Sequence, residues 1–424
     1  MSEGGIDIYN DIRVVFAIDF GTTFSGYAYA HKENPKEIIV KDDWKPYIGR
    51  FKTPTVIKYE DDKYTTVKSW GFPALAKKPK KKKKLKDSPV SSSKPIELFK
   101  LHFLESLEGE KPFLPDGLDY RKVVTDFMRE LSKDLKNSLN RNWNSRLDFY
   151  SNVKIVLTVP AEYDDKAIAI FRECVFNAGL IKNKYSNNLK ITTETEATAI
   201  YCLNSTMRDE HKLIPEASFM IVDCSGGTVD LTTRELLEDD QLSKLTERTR
   251  YYCGSCFIDQ AFLKFLGEIV GKAAIESIKK HHYCQLQYIV QEFCNEVKIP
   301  FTGIVEIEEW GNRYPFEFDL EESLPMIKNY VEGEEKTRLQ EAGWQIEIGF
   351  KDIKKMFDSV IDEIINLIKG QLDKSKKECS AIFLVGGFSE SKYLQTRVKE
   401  EFCEIVPNIS VPPQPIVAVL KGGI

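Results

Sequence analysis

Charge of one sign, long apolar runs and paired cysteines are all scarce in this chain, and each scarcity removes a class of protein. Sixty Lys and Arg stand against 65 Asp and Glu, a formal net charge of −5, so no global positive field argues for a nucleic-acid partner. No apolar run approaches the ~18 residues that span a bilayer, and Met1-Ser2-Glu3-Gly4-Gly5 has no signal-peptide character; no membrane partner is expected. The nine cysteines are odd in number and scattered through apolar runs, which suits reduced thiols in a cytoplasmic or nuclear protein. Cys253-Gly-Ser-Cys256 has the spacing of a redox pair or half a zinc site, but no second such pair completes it. His281-His282 lacks Cys or acid ligands at metal spacing and reads as surface.

What the chain does have is length and a repeated device. At 424 residues and 42% apolar it can bury large cores, and its length suggests two or more lobes. Asp19-Phe-Gly-Thr-Thr23 follows the strand-like run Val14 to Ile18 and precedes another, Ser25 to Tyr29. Asp223-Cys-Ser-Gly-Gly-Thr228 follows Phe219 to Val222 and precedes Val229 to Thr233. Each is a hairpin with an acid and a Gly/Thr turn at its tip. Glycine lets backbone N–H groups approach a ligand closely. Successive N–H groups in a turn form a concave anion site, and threonine hydroxyls add neutral donors. A carboxylate beside a phosphate makes sense with a divalent cation between them, usually with waters retained on the metal. Asp, Gly and Thr are also ordinary turn residues; it is the repetition that favours a polyphosphate clamp.

Between and after these hairpins the expected order is mixed. Ile38 to Val40 and Thr55 to Tyr59 read as further strands of a mixed sheet. Lys77 to Lys86 holds eight lysines and reads as a solvated insertion or a nuclear-localisation patch. Arg121 to Trp143 has a helical period, and Val153 to Val159 is a strand closed by Pro160. Asp164 or Asp165 caps a helix that ends at Gly179. Leu189 to Thr193 leads into a helix beginning at Glu194, and polar residues at the carboxyl ends of strands line crevices in open α/β sheets. Asn204 to Pro215 reads as a connector. Helices are expected over Phe257–Val270, Gln285–Val297 and Phe350–Lys369, with exposed acidic stretches at Glu306–Glu309 and Glu332–Glu335. Ala381 to Val385 is a buried strand followed by Gly386-Gly387-Phe388, a third turn of the kind that meets ligands, with Ser389 or Ser391 opening the next helix.

In order, these motifs resemble the actin-like ATPase superfamily, and within it the nucleotide-binding domain of the 70-kilodalton heat-shock proteins, in the divergent branch typified by heat-shock 70 kDa protein 12. The carrying stretches are Ala17 to Gly26, Thr158-Val-Pro-Ala161, Thr193-Glu-Thr-Glu-Ala-Thr-Ala199, Ile221 to Asp230 and Phe383 to Ser391. The resemblance implies an α/β, two-lobed, ribonuclease H-like fold with duplicated mixed sheets flanked by helices and a nucleotide cleft between lobes. Lobe I is expected over 1–207 with 409–424 returning to it, and lobe II over 208–408, with no peptide-binding domain.

The resemblance also implies site roles. ATP or ADP with Mg²⁺ would be bound, with Gly21, Thr22, Thr23 and Phe24 on the β- and γ-phosphates. Ser225, Gly226, Gly227 and Thr228 would face the γ-phosphate. Asp19 and Asp223 would hold the metal through water, and Glu194 would orient or deprotonate the attacking water. Gly386, Gly387 and Phe388 would abut the adenosine, with Gly254, Ser255, Asn295 and Lys298 beside them. Departures are Ser225 for a glycine, Thr195 for a proline, Ser255 for the second glycine of a pair and Gln414 for a late acid. A lysine that assists the attacking water is expected near Ala74-Leu75-Ala76, where none stands. The expectation is a monomeric, cytoplasmic ATP-binding switch with slow hydrolysis, or else a non-catalytic nucleotide-sensing adaptor, with unnamed protein partners. A sugar kinase would need a sugar-facing aspartate for which no candidate is seen.

Overall fold

A computed structural model describes residues 11–79, 94–103, 112, 114–204, 215–238, 241–305, 307–308, 311–312, 314–375 and 377–424. Most of the lysine-rich run, the connector 205–214, Glu306 and Glu309 lie outside them. The chain divides into two compact units, one of residues 1–73, 96–204 and 417–424, the other of 74–95 and 205–416.

The first unit is built on β1 (Val14–Phe20), β2 (Phe24–His31), β3 (Ile39–Val40), β4 (Thr53–Pro54), β5 (Val153–Val159) and β6 (Leu189–Thr193). In space the order is β6-β5-β1-β2-β3, with β4 also on β2. The β6, β5 and β1 neighbours run parallel, and the β1–β2, β2–β3 and β2–β4 pairs are antiparallel. The central strands read as unbroken apolar runs because both faces are covered; Val14, Phe16, Ala17 and Ile18 are all fully buried. α1 (Tyr120–Trp143) presents Val123, Val124, Phe127, Leu131 and Leu135 to this core. The Asp164 side chain caps α2 (Asp165–Asn177) on Ala167 N–H, and α3 (Glu194–Asn204) begins directly where β6 ends.

The second unit repeats the plan. β7 (Ser218–Cys224), β8 (Val229–Leu236), β9 (Leu242–Lys244), β10 (Thr249–Tyr251), β11 (Cys379–Val385) and β12 (Asn408–Ser410) form a sheet ordered β9-β8-β7-β11-β12, with β10 also on β8. Again three strands run parallel, and the hairpin pair and its two neighbours are antiparallel. Strand for strand, β7 stands where β1 stands, β8 where β2 stands and β10 where β4 stands. The duplication read from two short motifs is thus a duplication of whole six-stranded sheets. α4 (Cys256–Val270), α5 (Tyr283–Phe293), α6 (Phe350–Lys374) and α7 (Lys392–Phe402) accompany this sheet. Phe262 of α4 stacks on Phe293 of α5 with centroids 4.2 Å apart.

Several expectations are corrected. Val56–Tyr59 does not join the main sheet; it pairs with Val67–Trp70 and Ile96–Glu97 in a three-stranded sheet of its own. Residues 74–79 group with the second unit, where Ala76 N–H donates to Gln287 (2.9 Å) and Lys78 pairs with Glu322 (2.5 Å). Residues 409–416 also group there, because β12 extends the sheet and Gly386 N–H donates to Pro415 C=O at 3.0 Å. The helix expected over Gln285–Val297 is α5 followed by a π-helical turn, Cys294–Lys298. Ser391, not Ser389, caps α7, after a 3₁₀ turn over Gly387–Glu390. The short helix α8 (Ala418–Gly422) closes the first unit against α3. No described helix is long and apolar enough to cross a membrane.

Candidate functional site

In the first unit, β1 delivers Asp19 to the carboxyl edge of the sheet, and the turn Gly21-Thr22-Thr23 carries the chain into β2. The turn is pinned by Thr55, which follows β4: its Oγ1 donates to Gly21 C=O at 2.8 Å, and its N–H to Thr23 C=O at 2.8 Å. A Cβ on Gly21 would lie 2.2 Å from Phe24 C=O, so only glycine permits this turn. Gly21, Thr22 and Thr23 are half-buried, and Phe24 is exposed. Asp19 is buried, and Lys52 Nζ lies 2.5 Å from its Oδ2, with only 11% of the lysine side chain exposed.

Because β1, β5 and β6 are parallel, Asp19, Val159 and Thr193 end at one edge of the sheet, with Glu194 next in line. The Glu194 carboxylate is 15% exposed and receives the Lys100 ammonium at 2.7 Å; the lysine side chain is 6% exposed. Lys100 sits on a 3₁₀ turn, Phe99–Phe103, anchored by the buried rings of Phe99 and Phe103. Its ammonium also lies 5.7 Å from the Phe20 ring centroid. Ala74 and Ala76, where a lysine was expected, are buried, and the ammonium that faces Glu194 comes from 24 or more positions further along.

In the second unit, β7 delivers Asp223 to the equivalent position. Ser225 Oγ donates to Asp223 Oδ1 at 3.0 Å, and Ser225 N–H to Thr228 C=O at 2.9 Å closes the turn. The start of α4 braces this turn: Cys256 N–H donates to Gly226 C=O at 2.8 Å and Ser255 N–H to Ser225 C=O at 3.2 Å. Contact is so close that a Cβ on Gly254 would lie 2.5 Å from Gly226 O and 2.6 Å from Gly227 C. Gly386 has φ of +83°, and a Cβ there would lie 2.3 Å from Asp223 Oδ1. The structure therefore brings Asp223, Ser225, Gly226, Gly227, Thr228, Gly254, Ser255 and Gly386 together. Gly387 lies beside Ile416, while the Phe388 ring is 6% exposed and packs into the hydrophobic core.

Lys298 ends the π-helical turn, a rare geometry often found at functional sites. It donates to Ser255 C=O at 2.8 Å and to Asp259 at 2.6 Å, so it ties α5 to the start of α4. Burial pulls its ammonium down, but the Asp259 carboxylate and Cys294 outweigh this and hold it above the ordinary lysine value. Asn295 is exposed. Burial first, then Glu363 or Asp259, pushes Cys253 and Cys256 each up to about 12, which leaves both thiols protonated and unreactive.

Sequence reasoning missed a cationic pair here. Asp230, the cross-strand partner of both Asp223 and Arg250, is buried and contacts Arg248 Nη2 and, at 3.5 Å, Arg250 Nε. Arg250 Nη2 also donates to Thr228 Oγ1 at 3.0 Å. The alternation of Arg248 and Arg250 around Thr249 was the available signal, since alternate residues of a strand share one face. Lys52 had no local signal, because its partner lies 33 positions away.

Among the described residues, no group of three His, Cys, Asp or Glu is arranged to hold a metal. At each tip the donors are a carboxylate, hydroxyls and backbone carbonyls, all hard oxygen. That set fits Mg²⁺, which keeps several waters and is bound through one or two carboxylates together with phosphate oxygens. Asp19 is the carboxylate at the first tip, and Asp223 the one at the second.

No protein-family model matches the chain. It is 25% identical to heat shock 70 kDa protein 12A of Mus musculus, over 97% of this chain and 69% of that protein. Identity to heat shock 70 kDa protein 12A of Homo sapiens is 24%, over 100% and 70% respectively. Identity to heat shock 70 kDa protein 12B of Homo sapiens is 23%, over 97% and 68%. The resemblance carried by the motifs thus extends over nearly the whole chain: this is an α/β protein of two duplicated, helix-flanked mixed sheets, similar to the heat shock 70 kDa protein 12 branch of the 70-kilodalton heat-shock proteins.

Proposed function

We propose that this protein binds ATP with Mg²⁺ through both acid-tipped hairpins and works as a nucleotide-driven switch with slow hydrolysis. The observation that carries the reading is the repetition of one device, an aspartate and a Gly/Thr turn, at the same edge of two topologically equivalent sheets. The turn 21–23 and the turn 225–228 would each receive phosphate oxygens on their N–H groups and hydroxyls. Bound Mg²⁺ would supply charge neutralisation between phosphate oxygens, with Asp19 and Asp223 holding its waters. Glu194 would orient the attacking water and accept its proton, and Lys100 would fix that carboxylate and place positive charge beside the reacting oxygen. Phosphoryl transfer needs little else, since positioning and charge stabilisation supply most of its catalysis.

A second reading, a nucleotide-sensing adaptor without turnover, is favoured by one feature. Ser225 stands where the resemblance expects glycine, and its hydroxyl occupies an oxygen of Asp223. Calorimetric titration with Mg²⁺–ATP and single-turnover phosphate release, in wild type, Glu194→Ala and Asp223→Ala, separate the two. Expected are binding in wild type, weakened binding in Asp223→Ala and lost release in Glu194→Ala. Release unchanged by Glu194→Ala removes the catalytic reading, and no binding at all removes both.

A further inference from the structure

The equivalence of the two sheets places a basic residue at corresponding points of both tips. β4 and β10 are the short strands that pair with the outgoing arm of each hairpin. Lys52 immediately precedes β4, whose Thr53 is the partner of Ser25. Arg250 lies on β10 as the direct partner of Asp230. Asp230 faces Asp223 across its hairpin, as Gly26 faces Asp19 across the other.

Gly26 has a physical reason to be glycine. A Cβ there would lie 2.9 Å from Phe51 C=O and 3.0 Å from Lys52 Cγ. The Lys52 stem therefore runs over Gly26 and lays its ammonium on Asp19, directly across the hairpin. In the second unit Arg250 reaches the Thr228 hydroxyl of the phosphate turn. Each tip thus carries a cation of its own, buried to about nine-tenths and in contact with a residue of the turn or its acid.

We propose that Lys52 and Arg250 are resident counter-cations for nucleotide phosphate, so that this protein holds a nucleoside triphosphate with its own charges as well as with a divalent metal. The inference rests on the ATP-binding reading above. An ammonium carries three N–H donors, so it bridges a carboxylate and a phosphate oxygen at once. A guanidinium offers five donors in a planar fork that suits phosphate. Both are already desolvated by the fold, which strengthens their attraction for a phosphate oxygen relative to that of a surface lysine.

The test is calorimetric titration of the full chain with ATP, once in excess MgCl₂ and once in EDTA. Wild type is expected to lose less than about tenfold in affinity on metal removal, or about 1.4 kcal/mol. Lys52→Gln and Arg250→Gln each steepen that ratio to about a hundredfold, whereas Lys52→Arg keeps it shallow, because charge-assisted contacts to phosphate are what is lost. A residue that serves only as partner to a buried acid lowers the melting temperature and weakens binding by the same factor in both buffers; that result overturns the inference. So does a wild-type protein whose ATP affinity falls a hundredfold or more in EDTA, a measurement that needs no variant to fold. Absence of binding even in MgCl₂ overturns the ATP-binding reading itself, and this inference with it.

Discussion

Gly254→Ala tests whether the turn 225–228 is held by contact with α4. The added methyl would start 2.5 Å from Gly226 O, 2.6 Å from Gly226 C and 2.6 Å from Gly227 C, all backbone atoms. Ordinary contact begins at 3.4 Å, so either the turn or the start of α4 must retreat by about 0.9 Å. No flexible side chain can absorb this. Overpacking of this kind costs about 1–3 kcal/mol, and for a unit of this size each kcal/mol lowers the melting temperature by about 2–4 °C. The expected shift is therefore roughly 2–12 °C, read by calorimetry on the full chain. Displacement also stretches the bond from Cys256 N–H to Gly226 C=O, now 2.8 Å, and moves the N–H groups proposed to receive phosphate. ATP affinity is expected to fall tenfold or more, because a shift near 1 Å costs heavily in a positioned site. Gly370→Ala is the control, since nothing lies within 4 Å of a Cβ there; in mid-helix it should stabilise by about 0.5–1 kcal/mol. A Gly254→Ala protein with unchanged melting and unchanged affinity refutes the bracing argument.

Three further outcomes are expected. Lys100→Ala leaves the nearly buried Glu194 carboxylate without that ammonium, which should cost about 3–5 kcal/mol and abolish any phosphate release; Lys77→Ala and Lys78→Ala should change neither, and a loss with either of them would restore the register near residues 74–76. Thiol labelling at pH 8 should modify exposed Cys403 first and leave Cys253, Cys256 and Cys294, each pushed up to about 12 by burial before any charge effect, unmodified in the native state; rapid native labelling of Cys256 would contradict its placement. Burial raises Asp358, but hydrogen bonds from Lys354 and Tyr393 outweigh it and hold the carboxyl below its usual value. Its stabilisation is therefore complete above the unfolded value near 3.9 and fades as pH falls through the lower folded value. Melting of wild type between pH 5 and pH 3 should decline more steeply than that of Asp358→Asn, and parallel curves would refute the linkage.

The hairpins were legible because buried parallel strands are written as short apolar runs and their turns as Gly, Thr and Asp, all local signals. The Asp164 cap, α1 and the Thr193–Glu194 junction were legible for the same reason. What escaped depended on distance along the chain. Val56–Tyr59 has a good strand composition, but composition does not say which sheet a strand joins, and Ile96–Glu97 claimed it. The resemblance expects an assisting lysine near Ala74, whereas the ammonium found on Glu194 is that of Lys100, beyond the lysine-rich stretch. Phe388 follows two glycines, and that local signal does not say that its ring packs into the core, where burying an aromatic gains more than exposing it.

The discontinuity of the first unit bears on the order in which the molecule can be completed during synthesis. α3, which opens with Glu194, rests on α8, where a Cβ on Gly422 would lie only 1.7 Å from Ala197 C=O. Residues 417–424 emerge from the ribosome after the whole second unit has been made. A contact that spans more than two hundred positions carries a large loop-closure cost and forms late. The sheet and hairpin of the first unit can assemble early, but the backing of the Glu194 helix waits for the last turn to dock. A nascent chain halted before that point would display both Gly/Thr turns with its proposed water-activating residue still unbraced.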